Sequence, residues 1–119
     1  MTKIIVFTDL HIVPEGGTII GLDPVARLRA GLRHVNRHHH DASRVIFTGD
    51  LAHRGDAESY ARLRGLLGEL RLPYSLLIGN HDHRERFLQA FPETPVDAHG
   101  FVQQVIDTPQ GRLVLLDTL

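Results

Sequence analysis

Three polar clusters hold the residues of this chain that could do chemistry: Asp9-Leu10-His11, Gly49-Asp50 and Gly79-Asn80-His81-Asp82. A carboxylate and an imidazole two residues apart can share one cation. The pairing suits a divalent first-row metal and is too rich in nitrogen for a dedicated calcium or magnesium cage, which leaves zinc, manganese and iron. On extended backbone the same spacing directs Asp9 and His11 to one side. Asp50 has two oxygens and can bridge a pair of ions roughly 3.5–4 Å apart, the separation of two-metal hydrolytic sites. Asn80 offers a neutral carbonyl oxygen to the second ion. Each cluster taken singly also reads as a capping or turn sequence, Gly79-Asn80-His81-Asp82 as an Asx turn. All three together, in order and each behind its own apolar run, point to metal and phosphate.

The elements that must position these clusters are legible in the surrounding pattern. Ile4-Ile5-Val6-Phe7, Val45-Ile46-Phe47 and Leu76-Leu77-Ile78 are short, almost purely apolar runs with helix-length segments between them, as buried parallel strands read. Ligand sites in open α/β sheets lie beyond the carboxyl ends of the strands, where all three clusters fall. Asp23 caps a helix that begins at Pro24, with Val25, Leu28, Leu32 and Val35 as its apolar stripe and Asn36 to Asp41 as its polar exit. A second helix begins after Asp56, with Glu58 in its first turn and Tyr60, Leu63, Leu67 and Leu70 facing inward, and Pro73 enforces extension into the third strand. A third helix covers Arg84 to Phe91 and stops at Pro92. Phe101 to Ile106 and Leu113 to Leu116 read as strands joined by a turn at Thr108-Pro109-Gln110-Gly111. The expected plan is βαβαβα followed by a β-hairpin.

With 119 residues the chain reads as one domain, and such a length buries roughly two thirds of its unfolded surface. A net charge of −1 gives no footprint for a nucleic-acid polymer; Arg27, Arg29, Arg33 and Arg37 along one helix are read as a solvated face. Cysteine is absent, which excludes disulfides and thiolate metal sites. The first strand starts too early to leave room for a secretion signal, and no apolar run approaches ~20 residues, so a soluble cytoplasmic protein with no membrane partner is expected.

The series Asp9-x-His11, Gly49-Asp50, Gly79-Asn80-His81-Asp82 resembles the first half of the calcineurin-like metallophosphoesterase signature, D-x-H, then G-D, then G-N-H-D/E, over essentially the whole chain. Gly49-Asp50-Leu51-Ala52-His53-Arg54-Gly55 resembles that family's G-D-x(4)-G loop, and the detail is most similar to bacterial class III cyclic-nucleotide and glycerophosphodiester phosphodiesterases. The resemblance implies the N-terminal half of a four-layer αββα sandwich, with a domain over residues 1–119 truncated at its C-terminus. It implies two divalent or trivalent ions (Mn, Fe or Zn), with Asp9 and His11 on the first, Asp50 bridging and Asn80 on the second. His81 would be the catalytic side chain beside the substrate phosphate, and Asp82 would fix the tautomer of His81 or the loop. His53, just after Asp50, is placed to contact substrate. The implied reaction is hydrolysis of a small phosphoester, a diester by preference, by a metal-activated hydroxide; self-association of the chain is also open.

The family pattern continues with further histidine ligands, and no His follows His99. The expectation is therefore a chain that is nearly inactive alone, whether as a truncated sequence, a natural fragment or half of an assembly. His38, His39 and His40 are assigned to a helix C-terminus, where imidazolium is favourable, and His34, His83 and His99 to the surface. Three alternatives stand beside the phosphodiesterase reading: a phosphomonoesterase of the same fold, a non-catalytic metal-binding fragment, and a doubly wound nucleotide-binding module. The last lacks G-x-G-x-x-G or G-x-x-x-x-G-K-[ST] after its first strand. The loop from Asp9 to Asp23 is expected to form part of a pocket rim.

Overall fold

The structure, a computed structural model, describes residues 2–119. The three apolar runs form one parallel sheet, β1 (Ile4–Phe7), β2 (Arg44–Phe47) and β3 (Tyr74–Leu76), in the spatial order β1-β2-β3. Helices α1 (Pro24–His38) and α2 (Ala57–Leu67) make the crossovers, α3 (Arg84–Ala90) follows β3, and β4 (Gln104–Thr108) and β5 (Gly111–Leu115) form an antiparallel hairpin. The order is the one expected. Phe7, Phe47 and Leu76 lie in register across the sheet, so the three strands end at a common level.

Helix starts follow local chemistry. Asp23 Oδ1 accepts from the backbone N–H groups of Val25 and Ala26 at 3.0 and 3.3 Å, and Asp56 Oδ2 accepts from that of Ser59 at 3.0 Å. Each cap satisfies otherwise orphaned donors and stabilises by about 1 kcal/mol. His83, expected as a surface residue, is the corresponding cap of α3, its Nδ1 accepting from the Arg86 N–H at 3.2 Å. His39 departs from the imidazolium reading, because partial burial beside Lys3 and His34 lowers its pKa and favours the neutral ring.

The boundaries of β2 to β5 differ from expectation by one to three residues, and the hairpin strands reach Thr108 and Gly111 inside the expected turn. β3 starts directly after Pro73, whose carbonyl accepts from the Val45 N–H, and ends at Leu76 rather than Ile78, although Leu77 still donates to the Phe47 carbonyl at 2.8 Å. β4 starts at Gln104 rather than Phe101, because Asp97 gathers the preceding residues into a turn. Its Oδ1 accepts from the N–H groups of His99 and Phe101, and its Oδ2 accepts from the Gln103 amide at 2.7 Å.

Both faces of the sheet are covered. The helices pack Leu28, Leu32, Val35, Leu63 and Phe87 against Val45, Phe47 and Ile78 on one side. On the other, Ile106, Leu113 and Leu115 of the hairpin pack against Ile4, Ile46 and Leu77. Val105 and Val114, opposite each other across the hairpin, remain exposed on its outer side. No helix among the described residues is long and apolar enough to cross a membrane.

The segment after β5 is tied to α3 by Asp117, whose side chain is fully buried. Arg84 donates to both its oxygens at 2.9 and 3.0 Å, and the Val102 N–H adds a third bond at 2.9 Å. Desolvation alone would raise the Asp117 pKa, but these donors outweigh it and hold the carboxyl below its ordinary value. Because the folded pKa lies below the unfolded one (about 3.9), the stabilisation is complete above the unfolded value and is lost as pH falls through the folded one. Asp117→Asn should therefore destabilise by about 1–3 kcal/mol at neutral pH and flatten the acid limb of a melting-temperature profile. Parallel profiles for the variant and the parent would refute this account.

Candidate metal centre

Beyond the sheet, the chains leaving β1 and β2 stay zipped together. Asp9 N–H donates to Gly49 O, His11 N–H to Asp50 O at 2.8 Å, Ile12 N–H to Leu51 O and His53 N–H to Ile12 O. Within this ladder Asp9, His11 and Asp50 adopt the left-handed region, with φ of 56°, 48° and 49°. Such a conformation is uncommon for any residue but glycine and costs about 1 kcal/mol or more each. The expectation that an extended backbone aims Asp9 and His11 together is thus corrected: two left-handed turns bring them together after β1 has ended.

The outcome is a convergent donor set. Asp9 Oδ1 and Asp50 Oδ2 lie 3.7 and 3.8 Å from His11 Nε2, and the three donor atoms form a compact group able to hold a cation. These separations are too long for hydrogen bonds. They lie just beyond the edge of about 3.3–3.6 Å that two tetrahedral donors span when each sits about 2.0–2.2 Å from a common centre, so a small inward movement of the side chains fits the donor set to a metal ion. Asp9 is held below the ordinary carboxylate range chiefly by the Thr8 hydroxyl, which donates to its Oδ2 at 2.6 Å. Asn80 borders the same small cavity as Asp9 and Asp50, together with Thr48 and Thr118.

Close backbone approach makes this arrangement possible. A Cβ at Gly49, where φ is 124°, would lie 2.9 Å from Gly79 N, and one at Gly79 would lie 2.7 Å from Asp50 N and collide with Asp50 Oδ1. The glycines beside Asp50 and Asn80 therefore let two loops touch. The His81 N–H donates to Asp50 Oδ1 at 3.0 Å, orienting the carboxylate so that Oδ2 faces His11.

His53 joins the site on two sides. Its carbonyl lies 2.8 Å from His81 Nδ1, and a carbonyl can only accept, so that nitrogen carries the proton and Nε2 is the atom His81 presents outward. Its own Nδ1 lies 3.1 Å from His11 Nδ1. If His11 Nε2 is to ligate, His11 Nδ1 must be the donor and His53 the neutral acceptor. Desolvation, reinforced by repulsion from His11 and His81, lowers the His53 pKa and favours that state. The ring of His53 also stacks on His81 with centroids 5.2 Å apart.

Asp82 does not reach the His81 ring; of the two roles expected for it, the loop is the one found. It is buried, and its oxygens accept from the N–H groups of Leu51, Ala52 and Gly79 at 3.1, 3.0 and 2.8 Å and from the Tyr60 hydroxyl at 2.8 Å. Tyr60 in turn accepts from the His83 N–H at 2.9 Å, and burial pushes its phenol pKa up, keeping it a donor. Sequence reasoning placed Tyr60 in an apolar stripe and passed over Thr8. A tyrosine among leucines was the available signal, since a buried hydroxyl needs a partner.

Residues 2–114 match the family model described as calcineurin-like phosphoesterase. The chain is 49% identical over 117 residues to a probable cyclic nucleotide phosphodiesterase of Rhodopseudomonas palustris, an alignment covering 98% of this chain and 43% of that protein. It is 30% identical over 112 residues to a 3′,5′-cyclic adenosine monophosphate phosphodiesterase of Pseudomonas aeruginosa, covering 93% of this chain and 39% of that protein. The chain thus spans about two fifths of the length of these curated relatives. A purple acid phosphatase from yellow lupin seeds superposes with a TM-score of 0.65 at 15% identity, over 98% of this chain and 24% of that one, a likeness of fold.

The contact between the two glycine loops can be tested directly. Gly79→Ala should destabilise the fold by about 1–3 kcal/mol, the usual range for forced overpacking, and displace Asp50, since the obstructing atoms include backbone. Unchanged chemical denaturation and an unchanged Asp50 position in the variant would show that the two loops do not depend on this contact.

Proposed function

Because this chain belongs to the calcineurin-like phosphoesterase family, we propose that it contributes the metal-binding core of a hydrolase acting on phosphodiesters, cyclic nucleotides or glycerophosphodiester-like compounds. The observation that carries the reading is the convergence of Asp9 Oδ1, His11 Nε2 and Asp50 Oδ2, each residue held in a left-handed conformation. Asp9 and His11 would hold one ion, Asp50 would be shared between that ion and a second, and Asn80 would serve the second. Two ions ask for more donors than these four. Solvent, substrate oxygens and residues outside this span would supply them. Manganese, iron and zinc all suit the donor types. When bound, such ions would supply Lewis acidity for in-line displacement at phosphorus.

The protein's own groups have separable tasks in this reading. His81, with Nδ1 committed to the His53 carbonyl, would present Nε2 to the substrate, donating to a phosphoryl oxygen or protonating the departing alkoxide when charged. His53 acts less by touching substrate than by setting the tautomers of His11 and His81. Asp82 keeps the loops at their spacing without entering the chemistry.

Equilibrium dialysis against manganese and zinc, with Asp50→Ala and His81→Ala as comparisons, tests the assignment. Asp50→Ala should abolish metal binding. His81→Ala should leave it nearly intact and, in a protein that carries the full donor set, lower kcat for a chromogenic phosphodiester by about 10²–10⁴-fold, the usual worth of a general acid. Metal binding that survives loss of Asp50 would overturn the reading.

A further inference from the structure

The loops after β1, β2 and β3 also bring together a donor set made of nitrogen alone. One ring nitrogen from each of His11, His53 and His81 lies within 4.8 Å of the others. His11 Nδ1 and His53 Nδ1 are 3.1 Å apart, close to the edge of about 3.3–3.4 Å that two tetrahedral donors span when each sits about 2.0–2.1 Å from a zinc ion. The free lone pair of His81 is on Nε2, because its Nδ1 donates to the His53 carbonyl. The His81 side chain is exposed, stands edge-on to His11 and stacks on His53, with centroids 4.8 and 5.2 Å away, so its ring has room to rotate toward the other two.

His11 belongs to both donor sets and cannot serve them at once, since a neutral imidazole has one lone pair. With that pair on Nε2 it faces Asp9 and Asp50; with the pair on Nδ1 it faces His53. The second tautomer has support from behind. Its Nε2–H points toward Asp9 Oδ1 and Asp50 Oδ2, a small movement from hydrogen-bonding distance at 3.7 and 3.8 Å. A carboxylate behind a ligating imidazole is the usual means of fixing its tautomer and raising its basicity. The two sets also differ in what they attract. Carboxylates serve manganese, whereas three imidazoles with an open fourth position match zinc, and manganese is the weakest binder of the divalent series.

We propose that His11, His53 and His81 form a zinc site that excludes the carboxylate-bound ion and so inhibits the protein. The donor set stands on the geometry of the three rings; the inhibition rests on the function proposed above, because zinc there would occupy the His81 nitrogen that meets substrate. His53 is the residue that belongs to this set alone. Asp50 supports both sets, since its Oδ1 holds the His81 N–H and its Oδ2 faces His11 Nε2. Substitution at His53, and not at Asp50, therefore separates them.

The test combines nitrogen NMR of the imidazoles with manganese EPR on the whole chain. One equivalent of zinc should shift the Nδ1 resonances of His11 and His53 and the Nε2 resonance of His81; zinc held by the carboxylates would instead shift His11 Nε2 and leave His53 unmoved. Zinc should also release manganese from the parent at a concentration about 10–100-fold lower than from His53→Gln, at least the effect of losing a group that merely orients a ligand. Glutamine keeps an oxygen able to accept from His11 Nδ1–H, so the variant retains the tautomer that faces the carboxylates. A His53 ring that zinc does not move, or release of manganese at the same zinc concentration from both proteins, overturns the site. The zinc shifts require no bound manganese, and the functional reading fails separately, by manganese binding that survives loss of Asp50.

Discussion

The arrangement of this protein depends on one buried carboxylate. Asp82 gathers three backbone N–H groups and a tyrosine hydroxyl from segments that leave β2, leave β3 and run along α2. Charge-assisted bonds of this kind are about twice as strong as neutral ones, and a buried carboxylate without them would be prohibitive. Four donors on one carboxylate therefore hold the loop after β2 and the loop after β3 at a fixed spacing. That spacing brings Gly49 against Gly79, and so brings Asp50 into line with His81.

With the frame held, strain can be concentrated where cations would bind. Among the described residues, three of the four non-glycine residues with positive φ are Asp9, His11 and Asp50, and the fourth is Ile20, in the turn closed by Ile19 and Leu22. None of these conformations is favourable locally. The ladder between the loops after β1 and β2 over-determines those of Asp9, His11 and Asp50, because releasing any one of them would break hydrogen bonds between the two loops. The same ladder delivers His53 to His11, and its next residues lead into the cap of α2. A single device thus sets donor geometry, imidazole tautomers and the start of a helix.

Much of this was legible in sequence. Apolar runs of strand length, Asp23-Pro24 and Asp56 at helix starts, and Pro73 and Pro92 as stops depend on neighbours within a few residues, and element order followed from them. The three clusters were equally visible, because metal chemistry restricts residue types and strand ends restrict where they occur. Membership of the calcineurin-like phosphoesterase family was readable for the same reason, since the motif residues are linear even though their contacts are not.

Tertiary structure decided what no local pattern encodes. That Asp9 and His11 meet through left-handed turns, that Asp82 binds loops rather than His81, and that Tyr60 is a hydrogen-bonding post all depend on residues 20 to 45 positions away in sequence. His53 acquires meaning only from the second imidazole that lies across from it. The sequence by itself determined which elements form, in what order, and which side chains are chemically able to act. The packing of loops against one another decided their separations, because φ, tautomer and close approach are properties of pairs of segments and not of single residues.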